Sequence, residues 1–333
     1  MSRAVLRVLR GGLMTTVQDC GRMGYGHWGV PTGGAMDLLS HRLANRLVGN
    51  PDAAAALEMT LLGDDLEVLN DAVIAVCGAD MRAQMERQDG SCCDLPVQRP
   101  VFVRRGAVLR FGAAIRGCRA VLAVAGGIDV PELLGSRSTL LRGGWGGFEG
   151  RRLVSGDCLA VCELTSDKAL PWLPSADKQA AWSIRLQSLP NDAPTILRFV
   201  AGTHWEQLTP DSRDAVLGQS FVIRPESDRM GYRLRGSELV LAGSEQGRLK
   251  SAAVVPGTLQ LPADGQLLLL MADCAPTGGY PRIGHVISAD LSPAGQLRPG
   301  DALRLVQVTH AEALEALRVQ ERALRAALVM ARL

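Results

Sequence analysis

Aromatic residues are scarce: five tryptophans, three tyrosines and five phenylalanines in 333 residues. Base-stacking platforms are built from such rings, so single-stranded nucleic-acid binding lacks its usual means. Lysine is nearly missing. Only Lys168, Lys178 and Lys250 occur, and arginine supplies the other 33 of 36 basic residues. Against 34 acidic residues the formal net charge is +2, which excludes a strongly basic nucleic-acid-binding chain and leaves only a local basic patch open. Long apolar runs are also lacking. Leu267–Ala272, the longest in the second half, falls far short of the ~20 residues of a membrane span. Met1–Arg10 carries three arginines and no apolar stretch of signal-peptide length. None of the eight cysteines forms a C-x-x-C pair, and Cys158 and Cys162 have no histidine nearby to complete a zinc set. Reduced thiols in a cytoplasmic protein are expected.

What the chain does have is glycine, 37 residues, and proline, 17, spread along its length as turn signals. Between them lie short apolar or alternating runs, such as Val73–Val76, Arg119–Val124, Leu197–Val200, Leu239–Ala242 and Leu267–Met271. Runs of this length read as strands. They do not alternate with helices, which argues against a doubly wound parallel sheet. A mainly antiparallel β architecture, closed into barrels or packed as sandwiches, is predicted. Two helices are predicted as well. Asp37 caps the first, with Leu39, Leu43 and Leu47 on one stripe and Gly49 as its stop. The second covers about residues 311–332, where Leu314, Leu317, Leu324 and Leu328 fall at helical spacing. It packs on its own domain or on a partner subunit. Strand signals break down across Glu163–Pro194 and resume at Thr195. The predicted organisation is therefore an N-terminal domain over residues 1–165, a second over 195–308 and a terminal helix over 309–333.

Three segments combine tight turns with polar groups. The first runs from Thr15 through Gln18, Asp19 and Arg22 to Gly33-Gly34-Ala35-Met36-Asp37 and opens into a helix, where backbone N–H groups can hold an anion. An ordinary capped loop explains the same residues. The glycine spacing is not that of a P-loop. The second segment contains Gly126-Gly127-Ile128-Asp129 and Ser136-Arg137-Ser138-Thr139. A guanidinium and three hydroxyls within four residues suit a carboxylate or phosphate, or a turn that satisfies its own backbone. The third, Asp273 to His285, follows an apolar strand and includes Thr277-Gly278-Gly279-Tyr280. Cys274 and His285 invite a thiol-nucleophile reading, which their spacing alone does not establish.

At these segments the chain resembles the carboxyltransferase-domain family, whose members include the C subunit of 5-oxoprolinase, allophanate hydrolase subunit 2 and biotin-dependent carboxyltransferases. The resemblance rests on Thr15–Gly24, Gly29–Asp37, Ala44–Asn50, Ala56–Thr60 and Cys77–Asp80. It continues through Leu134–Thr139, Ser227–Leu234, Pro256–Gln260, Asp264-Gly265 and Thr277–Pro281, and so covers about residues 5–308. One departure is visible: the family commonly has Gln-Thr where this chain has Ala275 and Pro276.

The resemblance implies two cyclophilin-like β-barrel subdomains and an enzyme that works in a hetero-oligomer. The expected activity is that of the C subunit of an ATP-dependent 5-oxoprolinase, opening 5-oxoproline to L-glutamate with the A and B subunits and inactive without them. ATP belongs to the complex, since no nucleotide loop is recognisable in this chain. A biotin-dependent carboxyltransferase of a urea or amide carboxylase is one alternative; no lysine here stands in a Met-Lys-Met acceptor site, so biotin would arrive on another protein. The other alternative is a non-enzymatic module that antagonises a histidine-kinase inhibitor. Opening a lactam requires anion-holding groups and an activated water. Arg22, Arg137 and Arg229 are the candidates for the anions. Gln18, Ser138, Thr277, Gly278, Gly279 and Tyr280 are further candidates for substrate contact. Asp19, Asp37 and Glu58 are candidates for water activation, or equally for caps and salt bridges. The first segment, the Arg137 turn and the Thr277–Tyr280 turn are expected to meet in one groove.

Overall fold

The three-dimensional structure is a computed structural model. It describes residues 3–162, 180, 182–184, 186, 189–190, 193–242 and 249–332. Most of Glu163–Pro194, where the sequence places the domain boundary, lies outside the described residues. The chain divides into two compact units: Met1–Arg22, Asp37–Leu189 and Arg322–Leu333 form the first, and Met23–Met36 with Pro190–Glu321 the second. Among the described residues four α-helices accompany the strands: α1 (Leu38–Leu47), α2 (Pro210–Gly218), α3 (Leu291–Gly295) and α4 (His310–Arg332). No helix among the described residues is long and apolar enough to cross a membrane.

Among the described residues the first unit holds eleven strands: β1 (Arg3–Arg10), β2 (Met14–Gln18), β3 (Ala56–Thr60), β4 (Asp65–Val68), β5 (Ala72–Asp80), β6 (Gln84–Glu86), β7 (Cys92–Asp94), β8 (Pro100–Val103), β9 (Val108–Arg110), β10 (Arg116–Val124) and β11 (Cys158–Val161). They form a six-stranded sheet in the order β11-β1-β4-β9-β6-β7 and a five-stranded sheet in the order β2-β3-β10-β5-β8. Apolar side chains of both sheets share one core, including Val5, Leu6, Leu57, Leu66, Ile74, Leu109 and Leu122. Strand β10 is buried along all but its first residue, as its unbroken apolar run requires. On the solvent face of the six-stranded sheet, Arg7 meets Glu67 at 2.6 Å and Arg10 meets Asp65 at 2.9 Å, while Arg110 meets Glu86 at 2.5 Å. Part of the arginine richness is thus a solvated sheet face, where each pair contributes little to stability.

Helix α1 covers the five-stranded sheet. Leu39, Leu43 and Leu47 pack with Ala75, Cys77, Val121 and Ala123, and Leu324 of α4 joins this cluster. Asp37 accepts from Ser40 N at 3.0 Å and from Ser40 Oγ at 2.6 Å, and Gly49 ends the helix at φ 80°. Thus both helices foreseen from the sequence are present, and α4 adopts the span its leucine spacing indicates.

The second unit contains β12 (Thr195–Ala201), β13 (Ser220–Ile223), β14 (Gly231–Arg235), β15 (Ala252–Ala253), β16 (Thr258–Gln260), β17 (Leu268–Leu270), β18 (Thr277–Gly278), β19 (Arg282–Val286) and β20 (Ala302–Gln307). Seven close into a barrel, β12-β19-β16-β17-β14-β13-β20, and β15 pairs with β18 outside it. Every barrel pairing is antiparallel except β12 with β20. Leu197, Phe199, Phe221, Leu234, Leu259, Leu269, Ile283 and Leu303 fill the interior. The mainly β architecture is the one expected; the barrel closes in the second unit, and the first divides its strands between two sheets.

The packing of α1 has a consequence for acid stability. His41 is fully buried, and Asn45 Nδ2 lies 3.1 Å from its Nε2. Asn45 Nδ2 also donates to Ala54 O, while Asn45 Oδ1 accepts from Asn50 Nδ2, so His41 Nε2 is the acceptor and the ring is neutral. Burial holds His41 down at about 4 from its ordinary 6.5, against the pull of Asp19 and Asp52. Between these values the unfolded chain binds a proton that the folded chain does not, so stability falls as pH falls through the window. The loss amounts to about 3 kcal/mol. Urea unfolding from pH 7 to 4.5 should show this decline, and His41→Gln, which keeps an acceptor for Asn45, should flatten it.

Candidate functional site

In the first unit, the end of β2 and the Arg137 turn are tied together. Asp19 accepts from Gly21 N at 2.7 Å, Ser136 Oγ at 2.7 Å and Arg137 N at 2.6 Å. Ser136 and Ser138 share a 2.9 Å hydroxyl contact. Gln18 is fully buried; its Nε2 donates to Thr16 Oγ1 and to Thr139 O, and its Oε1 has no hydrogen-bond partner among the described residues. Arg22 is also buried, donates to Ser138 O at 2.6 Å and stacks over the Trp145 ring at 4.5 Å. Close packing against the turn requires Gly146, at φ 71°: a Cβ there would stand 2.3 Å from Ser138 O. Arg137 is half-buried and donates from Nε to Val130 O at 2.8 Å. Among the described residues nothing accepts from its two terminal nitrogens. Asp37 is the cap of α1, and Glu58 is buried on β3 opposite Thr16 and Val121.

In the second unit the central feature is a buried ion pair. Arg229 Nε donates to Asp273 Oδ2 at 2.8 Å and Nη2 to Asp273 Oδ1 at 3.0 Å, with both side chains 6% exposed. Arg229 Nη2 also donates to Gly34 O at 2.6 Å, and Gly33 N donates to Ala272 O at 3.0 Å. This pair pins the Gly33-Gly34 loop to the chain leaving β17. Beyond it, Thr277 and Gly278 form β18, opposite Ala253 and Ala252. Gly279 O accepts from Leu249 N, and Tyr280 is half-buried. Pro276, where the family commonly has threonine, offers its carbonyl to Val254 N.

Two features qualify the chemistry foreseen from the sequence. Cys274 is 4% exposed, and burial together with the Asp273 charge pushes its thiol up to about 12, so it stays protonated and unreactive. His285 is held down by burial alone. Of the three candidate arginines, Arg229 is paired with Asp273, Arg22 donates from Nη2 to Ser138 O, and Arg137 donates from Nε to Val130 O. Two polar side chains not among the candidates reach the β15–β18 ladder: Gln260 lies against Gly278, and Arg282 Nη1 is 3.4 Å from Ala253 O. The available signal was a glutamine two positions from Thr258 on a strand whose middle residue, Leu259, faces the core.

A two-sheet unit and a closed barrel, each carrying polar glycine-rich turns at strand ends, define a paired-β domain of carboxyltransferase type. The chain belongs to the carboxyltransferase domain family, subdomains A and B, whose model matches residues 28–307. It is 36% identical over 318 residues to the C subunit of 5-oxoprolinase from Escherichia coli, covering 96% of each chain. It is 32% identical to the corresponding 5-oxoprolinase C subunit of Haemophilus influenzae, over 92% of each. Among solved structures it resembles the K. lactis urea amidolyase with a TM-score of 0.88 and 30% identity, over 98% of this chain. It spans only 20% of that longer protein.

The buried pair makes a direct prediction. Removing one partner strands the other charge, a change that costs about 3–5 kcal/mol, whereas replacing both with apolar groups costs far less. Urea denaturation should find Arg229→Met strongly destabilised and Arg229→Met/Asp273→Leu substantially recovered.

Proposed function

We propose that this chain is the C subunit of an ATP-dependent 5-oxoprolinase, a cytoplasmic hydrolase that opens 5-oxoproline to L-glutamate together with the A and B subunits. The observation that carries the reading is its similarity to the E. coli protein of that name, which extends over 96% of both chains. A lactam is a poor electrophile, so its opening needs activation. ATP would supply a phosphoryl group to the lactam oxygen, which makes the ring carbon a better electrophile. Water then adds at that carbon, the C–N bond breaks and the released amine takes up a proton. Hydrolysis of the resulting acyl phosphate gives glutamate and phosphate. The contribution of this chain is to bind and orient the amide and its carboxylate. Nucleotide binding is assigned to the complex, in keeping with the lack of a phosphate loop in the sequence.

In the first unit, Arg137 is the group best placed to hold an anion, because its backbone is fixed by Asp19 and its Nε by Val130. Its rigid planar fork suits a phosphate, the anion that activation of the lactam introduces. Gln18 and Ser138 flank it as polar support. Asp19 braces the turn and Asp37 caps α1, and these two with Glu58 are the candidates for water activation. A carboxyltransferase that takes carboxyl groups from biotin on another protein is the second reading, favoured by the similarity to K. lactis urea amidolyase. Biotinylated protein co-purifying with the complex would select it.

The test is to co-express the chain with its neighbouring subunits and measure ATP-dependent glutamate release from 5-oxoproline. The complex should turn over and the purified chain alone should show no 5-oxoproline-dependent ATP hydrolysis. In the active complex Arg137→Ala should lower kcat/KM for 5-oxoproline about tenfold or more, by analogy with truncated charge pairs. Arg137→Lys should restore only part of the loss.

A further inference from the structure

Gln260 is an anomaly in the second unit. It is 3% exposed, yet its Nε2 has no hydrogen-bond partner among the described residues. A buried donor left unmade is costly, so natural folds keep few of them without a purpose. The carboxamide lies directly against the Thr277–Gly278 strand. A Cβ on Gly278 would stand 2.4 Å from its Nε2 and 3.4 Å from its Oε1. Only glycine lets the backbone come this close.

Gln260 does not stand alone. In the β16–β19 ladder it is paired with Arg282. The ladder is irregular here, with Ile283 the extra residue between the Leu259–Gly284 and Gln260–Arg282 pairs, which re-aims the side chains beside it. The Arg282 guanidinium reaches the same small ladder, with Nη1 3.4 Å from Ala253 O, a long contact that holds it loosely. Ala253 is the partner of Thr277. A carboxamide and a guanidinium therefore converge at one two-residue ladder.

We infer that Gln260 and Arg282 form a recognition subsite for a small cis amide that carries a carboxylate. A primary carboxamide presents one N–H donor and one oxygen acceptor side by side. A lactam is held cis by its ring and presents the complementary pair, a carbonyl oxygen and an N–H. Gln260 Nε2 donates to the lactam oxygen, and Gln260 Oε1 accepts from the lactam N–H. Arg282 takes the neighbouring carboxylate. The ladder of Ala252–Ala253 with Thr277–Gly278, only two residues long, lifts to admit the ligand and closes over it. This inference rests on the 5-oxoprolinase reading and deepens it.

The experiment uses the assembled complex and two probes, 5-oxoproline as substrate and 2-pyrrolidone, the same lactam without a carboxylate, as competitive inhibitor. Gln260→Met should raise KM for 5-oxoproline at least tenfold and weaken 2-pyrrolidone inhibition to a similar degree. Gln260→Glu, which keeps the size and removes the donor, should do the same and guards against a packing artefact. Arg282→Met should raise KM for 5-oxoproline while leaving 2-pyrrolidone inhibition unchanged. Thermal unfolding of the Gln260→Met complex without ligand should occur no earlier than that of the parent, since the variant removes a buried donor that lacks a partner. Parental KM and inhibition in both Gln260 variants, or equal losses for both probes in Arg282→Met, would overturn the subsite alone. A parent complex that does not open 5-oxoproline would instead overturn the reading beneath it.

Discussion

The ion pair between Arg229 and Asp273 is the interaction on which the polar end of the second unit depends. Two charges removed from water are tolerated only where geometry is good and the remaining donors are satisfied. Here the carboxylate is held by two guanidinium nitrogens, and one of them also takes the Gly34 carbonyl. The pair thereby joins three separate parts of the chain: the turn before β14, the exit of β17 and the Gly33-Gly34 loop. Gly33 and Gly34 sit at φ 64° and 86°, backbone that a side chain would strain. The segment from Asp273 to Tyr280 starts from this fixed point and ends where β19 re-enters the barrel.

A division of labour among polar residues follows. Some are consumed by the fold: Asp19 braces the Arg137 turn, Asp37 caps α1 and Arg22 holds the Ser138 carbonyl beside Trp145. Others retain unmet capacity. Arg137 keeps its terminal nitrogens, Gln260 its amide donor and Arg282 most of its guanidinium. Buried or half-buried groups that the fold does not satisfy are the natural recognition elements for a small ligand, since a ligand supplies what the protein withholds. Both units contribute such groups, and in each they lie against a glycine-rich turn.

The fold was legible in the sequence to the extent that local pattern determines it. The unbroken apolar run at Arg119–Val124 marked a central strand, Asp37 and Gly49 marked the limits of α1, and the leucine spacing after Thr309 marked α4. The barrel's closure was not legible, because it depends on the parallel pairing of β12 with β20 across about a hundred residues, and no local signal encodes a partner that distant. The site was half legible. Glycine-rich polar turns pointed to the segments that carry the polar groups. The roles of single residues were not visible, because Arg229 and Arg137 look alike until Asp273 is seen to occupy one of them. Gln260 escaped notice for a related reason: a glutamine on a short strand is unremarkable until its amide is found buried against Gly278 without a partner.

The most direct measurement of the central claim, that a carboxylated cis amide is bound at the Thr277–Gly278 turn of the second unit, is amide hydrogen exchange of the assembled complex with and without 5-oxoproline. A two-residue ladder that closes over a ligand exchanges more slowly once the ligand holds it shut. Added protection is expected at Ala252, Ala253, Thr277 and Gly278 in the presence of 5-oxoproline, with the barrel strands unchanged. A complex that turns over 5-oxoproline while exchange at these four residues stays the same would contradict it.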